Sequence, residues 1–334
     1  MQKTVCAIAA VSLCLFAMVP QAEAMTREQY QQAVLIKGIQ QKVAVTYTEG
    51  LSAYKAGNYS KCLRLLTSSA VEKAYRNKLE WNIAAGMSYY RTGNYSNALG
   101  ILTRAWGMGG SSRHDVAQGM GMSYLAIGNW QQAAAYLGRA AKGNNPDDLW
   151  NLSLAYRHLA DNSRELSTLI RLLGSSPQFA VEPYYRACDM LSDHNELGRA
   201  LSLYQQGIQY FPKEGGFYYG AGHVCFLDGN YEGAIPWLLD ANKIIPDNLD
   251  ILYDLGFAYF YLDRLDEAAE VCDIMGEIAP DDSRTRGLVK AVQQKILQRQ
   301  MEQQMQIDQI NQTIQEQTEQ ANQAAQAAQA AAGF

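Results

Sequence analysis

Apolar residues recur at intervals of three and four between about residue 43 and residue 280, in stretches of about 13 residues. This spacing places the apolar side chains on one side of an α-helix, so each stretch predicts a short amphipathic helix. Short polar turns interrupt the stretches at regular distances. The regular alternation of helix and turn predicts an all-α chain built from repeated helix pairs.

Four of the turns contain the tripeptide Gly-Asn-aromatic. Glycine permits a positive φ after the first helix of a pair, and asparagine can cap the start of the second. The tripeptide begins at Gly57, Gly93, Gly128 and Gly229. The last gap, of 101 residues, is about three times a repeat of about 34, so it should hold two more turns, and one further turn follows. These less regular turns are predicted near Ala160, Asn195 and Asp263.

Small residues occupy the position seven residues before every turn. They are Gly50, Gly86, Gly121, Ser153, Cys188, Gly222 and Gly256. The second helix of most units carries an alanine five residues after the turn, but in the fourth unit Glu165 or its neighbour holds that position. The two helices of a pair are expected to approach closely at the small residues, where a larger side chain would overpack the contact by about 1–3 kcal/mol.

These positions resemble the tetratricopeptide repeat, in which each unit has a small residue, a Gly-Asn/Asp-aromatic turn, an alanine and a closing proline. The resemblance covers roughly residues 43–280, and the fourth and fifth units depart from it most. It implies an all-α, right-handed superhelical solenoid of about seven helix pairs. Neighbouring pairs would share one continuous core, because a single pair cannot bury both of its apolar sides.

The first 24 residues have the layout of a cleaved secretory signal. They carry one basic residue, Lys3, then an apolar run too short for a membrane span, and small residues at Ala22 and Ala24. An anchored first helix is the alternative. We expect a signal peptide over residues 1–24 and an exported protein that starts near Met25, in the periplasm or outside the cell.

The two ends of the repeat array differ from the repeats. Residues 25–42 are expected to form a capping helix, residues 43–281 the repeats, and residues 282–334 a helix and tail rich in Gln and Ala. Three-and-four spacing continues in this last region in two apolar segments, Val289, Val292 and Ile296 and then Ile307, Ile310 and Ile314, with polar residues at the steps near Arg299 and Gln303. The spacing predicts one long helix, which is either a solvated cap or a coiled coil that joins copies of the chain through residues 286–320.

Composition and motifs do not indicate a catalytic site. The formal net charge is −5 with no basic cluster, so neither nucleic acid nor an anionic membrane surface is an expected partner. No later stretch is apolar for long enough to form an integral membrane segment. The 4 histidines are scattered, and the glycines near residues 107–110 lack the Gly-Lys-Ser/Thr ending of a phosphate loop. We therefore expect no catalytic residue, no metal and no cofactor.

Four cysteines follow the predicted signal, at Cys62, Cys188, Cys225 and Cys272. All four fall at inward positions of the repeat. They are either small apolar fillers or partners in disulfides between neighbouring units, since an exported protein meets an oxidising compartment.

The resemblance also implies a concave groove lined by the first helix of each unit, which takes an extended peptide or a helix. The groove positions lie ten, six and three residues before each turn. The candidate groove residues are Tyr47, Leu51, Tyr54, Ile83, Met87, Tyr90, Met122, Leu125, Trp150, Tyr185, Tyr219, His223, Phe226, Tyr253, Phe257 and Phe260. The middle position is mostly apolar, whereas family members that clamp a carboxylate place Asn there.

The sequence thus predicts a non-enzymatic scaffold of the bacterial envelope that binds partner proteins or peptides in an apolar and aromatic groove. Such a stripe exceeds what a monomer leaves exposed, so either a partner, a terminal helix of the same chain, or tight core packing should cover it. The alternative is an oligomeric architectural subunit that uses its carboxy-terminal helix as a coiled coil.

Overall fold

The computed structural model describes residues 26–331 and 333, and within them the chain is helical with no β-strand. The predicted signal peptide, residues 1–24, lies outside the described residues. In chain order the helices are α1 Arg27–Lys55, α2 Tyr59–Leu66, α3 Ser69–Tyr75, α4 Leu79–Arg91, α5 Tyr95–Gly107, α6 His114–Ala126, α7 Trp130–Ala140, α8 Pro146–His158, α9 Asn162–Ser175, α10 Glu182–Asp193, α11 Leu197–Tyr210, α12 Gly215–Leu227, α13 Tyr231–Ile244, α14 Leu249–Tyr261, α15 Leu265–Ile278 and α16 Ser283–Ala331. Consecutive helices pack in pairs, which confirms the predicted all-α repeat class.

The chain divides into two compact units at Ala140. Unit 1 contains α1 to α7, and unit 2 contains α8 to α16. Two short 3₁₀ helices, Gly110–Ser112 and Ala141–Gly143, connect successive pairs. No described helix has both the length and the apolar character needed to cross a membrane.

All seven predicted turns are present, because each predicted turn residue has a positive φ. The four glycines have φ values from 74° to 80°, and Ala160, Asn195 and Asp263 have 54°, 58° and 61°. The asparagine cap is also confirmed: the backbone N–H of Lys61 donates to Asn58 Oδ1, and that of Asn97 donates to Asn94 Oδ1. Since a left-handed backbone costs a non-glycine residue roughly 1–2 kcal/mol, the turn is maintained by the helices on either side of Ala160 rather than by its own preference.

The small residues before the turns are required by close helix packing. A Cβ atom at Gly86 would lie 2.7 Å from Leu102 Cδ2, and one at Gly222 would lie 2.7 Å from Leu238 Cγ. At Gly256 the nearest side chain is instead Leu288 of α16, at 2.5 Å. In the other units this position meets the second helix of the same pair, so at Gly256 α16 takes that place, and α16 packs on both α14 and α15.

Unit 1 contains one helix that the repeat pattern does not predict. Helix α3 lies between the first and second pairs, and its Tyr75 ring stacks on Tyr47 of α1 with centroids 3.9 Å apart. Trp81 of α4 is 1% exposed, and its Nε1–H donates to the Leu66 carbonyl over 2.9 Å. Helix α3 does not lengthen the repeat, because α2 is correspondingly short, and it packs beside α1.

Unit 2 has a core in which the cysteines are buried thiols. Cys188, Cys225 and Cys272 are free and buried, as is Cys62 in unit 1. Burial raises the pKa of the Cys272 thiol to about 11, so it stays neutral at ordinary pH. Of the two interpretations left open by the sequence, the structure supports the first: the four cysteines are small apolar residues that fill the core, and none of them forms a disulfide.

Both terminal helices extend beyond their packed parts. Helix α1 runs unbroken through the predicted boundary at residue 42, because neither proline nor a turn interrupts it, and residues 27–42 are exposed throughout. Helix α16 packs on α14 and α15 through Leu288 and Val292, which are buried, whereas its side chains from residue 297 to residue 329 are exposed.

Candidate partner-binding surface

The structure buries two of the predicted groove residues. Ile83 and Met87 on α4 are 3% and 4% exposed and belong to the core of unit 1. Gly119 of α6 lacks a side chain, so the Met87 thioether lies directly against the α6 backbone. In the folded chain these two side chains are not available to a partner, which corrects the expectation that a partner would meet them.

The other candidate residues in unit 1 are half-buried. They are Tyr47, Leu51, Tyr54, Tyr90, Met122 and Leu125. The rings of Tyr54 and Tyr90 each lean on the aromatic residue of the following turn, with centroids 6.3 Å from Tyr59 and Tyr95. These rings mainly stabilise the turn between the two helices of each pair.

The candidate residues of unit 2 lie on α8, α10, α12 and α14, the first helices of their pairs. They are Trp150, Tyr185, Tyr219, His223, Phe226, Tyr253, Phe257 and Phe260, and each is half-buried. We call Tyr185, Tyr219, Phe226, Tyr253, Phe257 and Phe260 the unit 2 aromatic face. On α14 the Phe257 ring lies 4.7 Å from Tyr253 and 6.0 Å from Phe260, and Tyr261 lies 6.4 Å from Phe226 of α12.

Carboxylates accompany the unit 2 aromatic face. The Tyr185 hydroxyl donates to Glu214 Oε1 over 2.9 Å. Asp189, one turn further along α10, is exposed and makes no hydrogen bond or ion pair with any other described residue, although the Arg186 charge acts on it. Asp250 on α14 already pairs with Arg284 of α16 over 2.5 Å. Asp189 is therefore the carboxylate of this face that can accept a cation from a partner.

His223 contacts a buried carboxylate on this face. Its Nδ1 lies 2.6 Å from Asp254 Oδ2, the Asp254 side chain is 6% exposed, and the ring of Tyr219 lies 5.5 Å from the imidazole. The hydrogen bond to Asp254 raises the pKa of His223 above its ordinary value, and burial offsets part of that effect. This contact joins α12 to α14.

The His223–Asp254 pair should make stability depend on pH. The pKa of His223 is raised on folding. The stabilisation that this histidine contributes to the folded state is therefore fully present below the unfolded pKa of about 6.5 and is lost as pH rises through the folded pKa. We expect the difference in unfolding free energy between the native chain and a His223→Gln variant to shrink as pH rises above about 6.5. Urea unfolding of both proteins at several pH values measures this difference.

A matched control for this titration is His194→Gln. His194 is exposed, and its Nδ1 contacts only the Met190 carbonyl of its own helix, over 2.7 Å. This variant removes a histidine that makes no ion pair with any described carboxylate, so it controls for the loss of an imidazole side chain as such. A difference between native and His223→Gln that does not change with pH would contradict a role for the protonated imidazole.

A buried carboxylate links three helices at the fourth unit. Glu165 of α9 occupies the alanine position, its side chain is fully buried, and it receives hydrogen bonds from Arg157 of α8 over 2.9 Å and Arg186 of α10 over 2.7 Å. Burial alone would raise the pKa of Glu165, but the hydrogen bonds from Arg186 and Arg157 outweigh it and leave the pKa lowered. The guanidinium of Arg157 also lies 5.9 Å from the Trp150 ring.

The sequence pattern overlooked Arg186 and Asp254, which organise the polar part of this face. Both lie nine residues before a turn, where the other units have the uncharged residues Thr48, Ala84, Gly119, Asn151 and Gly220. A charged residue at a position that is otherwise uncharged was the available signal, because such a charge needs a partner when it is packed between helices.

Comparison with known proteins agrees with this architecture. Family models described as tetratricopeptide repeat match residues 119–178, 189–248 and 226–292. Among solved structures, "YrrB: a TPR protein with an unusual peptide-binding site" is 20% identical and covers 55% of this chain and 94% of that chain, with a TM-score of 0.45. MamA from Desulfovibrio magneticus RS-1 is 20% identical and covers 50% of this chain and 93% of that one, with a TM-score of 0.40.

A structure of Naa15/Naa10 bound to HypK-THB covers more of this chain, 75%, and 39% of that chain, with 14% identity and a TM-score of 0.56. At such identity the likeness shows the fold alone. No curated protein matches the chain in sequence.

Proposed function

The chain belongs to the tetratricopeptide-repeat family, and from this premise we propose that it is a non-enzymatic scaffold whose unit 2 aromatic face binds protein partners. The observation that carries the proposal is the row of half-exposed rings on three successive first helices. Aromatic side chains bind with a large contact area and lose little conformational entropy, and for that reason they dominate binding hot spots.

The chemistry of the face indicates what kind of partner it takes. The rings of Tyr219, Tyr253 and Phe257 favour apolar or aromatic side chains, and the exposed Asp189 favours a lysine or arginine beside them. We propose an extended peptide or a helix that carries apolar or aromatic residues and at least one basic residue. The unit offers no asparagine at the middle groove position, so a carboxylate clamp is not part of the proposal.

A phage-displayed peptide library selected on the chain from Met25 onward tests this function. We expect peptides rich in aromatic and basic residues, which lose about tenfold or more in affinity for the Phe257→Ala and Tyr219→Ala variants because each removes a ring from the face. Fluorescence anisotropy with the selected peptides measures the change. Asp189→Asn should weaken the basic peptides selectively.

The matched control is Tyr95→Ala, which removes a half-buried ring from unit 1. Peptides that bind unit 2 should keep their affinity for this variant. Equal loss with Tyr95→Ala, or no loss with Phe257→Ala and Tyr219→Ala while the helical circular dichroism is unchanged, would contradict the assignment of the face.

We further propose that the protein works in the bacterial envelope, exported to the periplasm or alternatively outside the cell, where it supports assembly of a multiprotein complex. The layout of the first 24 residues supports export. Recovery of native protein that still begins before Ala22 would contradict a cleaved signal.

A second candidate function is architectural, with copies of the chain joined through residues 286–320. The observation that favours it is the exposed apolar row on α16, where Ile307, Ile310 and Ile314 are 51%, 59% and 55% exposed. Such a row on a long helix is the usual signature of a helix that packs against another helix.

A further inference from the structure

The free part of α16 continues the face by which α16 already packs. We call residues 300–331 the α16 overhang. Leu288, Val292 and Ile296 contact α14 and α15, and Ile307 follows Ile296 after eleven residues, about three helical turns. Ile307, Ile310 and Ile314 therefore lie on the side of the helix that is buried further back, but they have no cover among the described residues.

The free part of α1 has the same property. We call residues 27–42 the α1 overhang. Val43 and Tyr47 of α1 pack into the core of unit 1, and Ile36 and Ile39 precede them at intervals of three and four, so they lie on the same side of the helix. Ile36 and Ile39 are each 54% exposed, and Leu35 is 64% exposed.

The charges of the two overhangs are opposite. The α1 overhang carries Arg27, Lys37 and Lys42 against Glu28, which gives a net charge of +2. The α16 overhang carries four acidic residues and no basic residue, which gives −4; they are Glu302, Asp308, Glu316 and Glu319. Pairing two α16 overhangs or two α1 overhangs would bring like charges together, whereas pairing one with the other brings opposite charges together.

The α1 overhang is long enough to cover the apolar row of the α16 overhang. Its sixteen residues rise about 24 Å, and the eight residues from Ile307 to Ile314 rise about 12 Å. An isolated helix of glutamine and alanine is only marginally stable in water, so a partner helix would stabilise the α16 overhang.

From these observations we propose that the α16 overhang of one copy packs along the α1 overhang of a second copy. The contact is heterologous, since each copy offers two different surfaces, so association adds copies head to tail and ends in a ring or an open chain. This inference names the surface that meets residues 286–320 and thus deepens the architectural candidate. It does not depend on peptide binding by the unit 2 aromatic face.

Light scattering coupled to size exclusion on the chain from Met25 to Phe334 is the first test. We expect the mass to rise above that of one copy as the protein concentration increases, because copies add until a ring closes, which can happen at two copies, or continue as an open chain. The mass should fall as salt is raised from about 0.05 M to about 0.5 M, because salt screens the attraction between the overhangs. A single copy at every concentration would overturn the proposal.

Two complementary variants identify the surfaces. Leu35→Ser/Ile36→Ser/Ile39→Ser removes the apolar side chains of the α1 overhang, and Ile307→Ser/Ile310→Ser/Ile314→Ser removes those of the α16 overhang. Each variant alone should be a single copy. An equimolar mixture should contain complexes of two copies and nothing larger, because each variant retains one intact surface and lacks the other.

The remaining outcomes each overturn the proposal. If the α1 variant alone still associates, α16 overhangs pair with one another, and if the α16 variant alone still associates, α1 overhangs do. If the mixture stays at one copy, the two surfaces do not meet. The Gln312→Ser/Gln315→Ser variant changes the opposite side of α16 and should associate as the native chain does. Circular dichroism shows whether the exposed substitutions leave the helices intact.

Discussion

Replacing Arg157 and Arg186 together with alanine is expected to lower the free energy of unfolding by about 3 kcal/mol. The reason is that the double variant leaves the fully buried carboxylate of Glu165 without either of its guanidinium partners. Breaking a buried ion pair costs about 3–5 kcal/mol, and we expect the lower end because Arg157 and Arg186 are themselves 36% and 34% exposed. Urea unfolding at neutral pH measures the loss.

The pH dependence of this loss has a definite sign. In the native chain the pKa of Glu165 is lowered. The stabilisation that Glu165 contributes to the folded state is therefore present above the unfolded pKa and is lost as pH falls through the folded pKa. In the double variant burial without partners should raise that pKa, so the variant should regain stability as pH falls from about 7 to about 4.5. The difference in unfolding free energy between the native chain and the double variant should therefore become smaller as pH falls.

The control is Glu165→Ala, because alanine holds the same position in units such as those of Ala98 and Ala234. This variant leaves two guanidinium groups that can reach water, so it should be much less destabilised than the double arginine variant. An equal loss of stability in Glu165→Ala and in the double arginine variant would show that the buried carboxylate needs no charge partner.

The turns and the pairing of helices could be predicted because they repeat. A single Gly-Asn-aromatic tripeptide carries little information, but seven turns about 34 residues apart place Ala160, Asn195 and Asp263 even where glycine is missing. The small residues before each turn were predictable for the same reason, since a close helix contact recurs in every unit.

The surface was less predictable because exposure depends on neighbouring units. Met87 and Met122 occupy the same position of the repeat, yet Met87 is buried and Met122 is half-buried, because Gly119 lets α6 approach Met87. Arg186 and Asp254 acquire partners from adjacent helices, Glu165 and His223, that no spacing within one unit reveals. Helix α3 occupies the end of the first unit as a separate short helix, although the spacing from Gly57 to Gly93 is kept.

Phe217→Ala is expected to lower the free energy of unfolding by about 3–5 kcal/mol, at least as much as the loss of Arg157 and Arg186. The Phe217 ring is fully buried at the start of α12 and lies 5.5 Å from the Tyr184 ring, 4.8 Å from Tyr185 and 6.1 Å from Phe211. It also packs on α11 at Gly207, where a Cβ atom would lie 2.9 Å from Phe217 Cε2. Truncation leaves a cavity among α10, α11 and α12.

The matched control is Phe226→Ala on the same helix, which removes an equal side chain that is only half-buried and should cost about half as much or less. Because a repeat unit contacts mainly its neighbours, hydrogen exchange in Phe217→Ala should accelerate first in α10 to α13, whereas α15 and the packed part of α16 should keep more protection. Equal acceleration in all helices of unit 2 would show instead that the unit unfolds as a single cooperative block, and that the cavity weakens every helix through global unfolding.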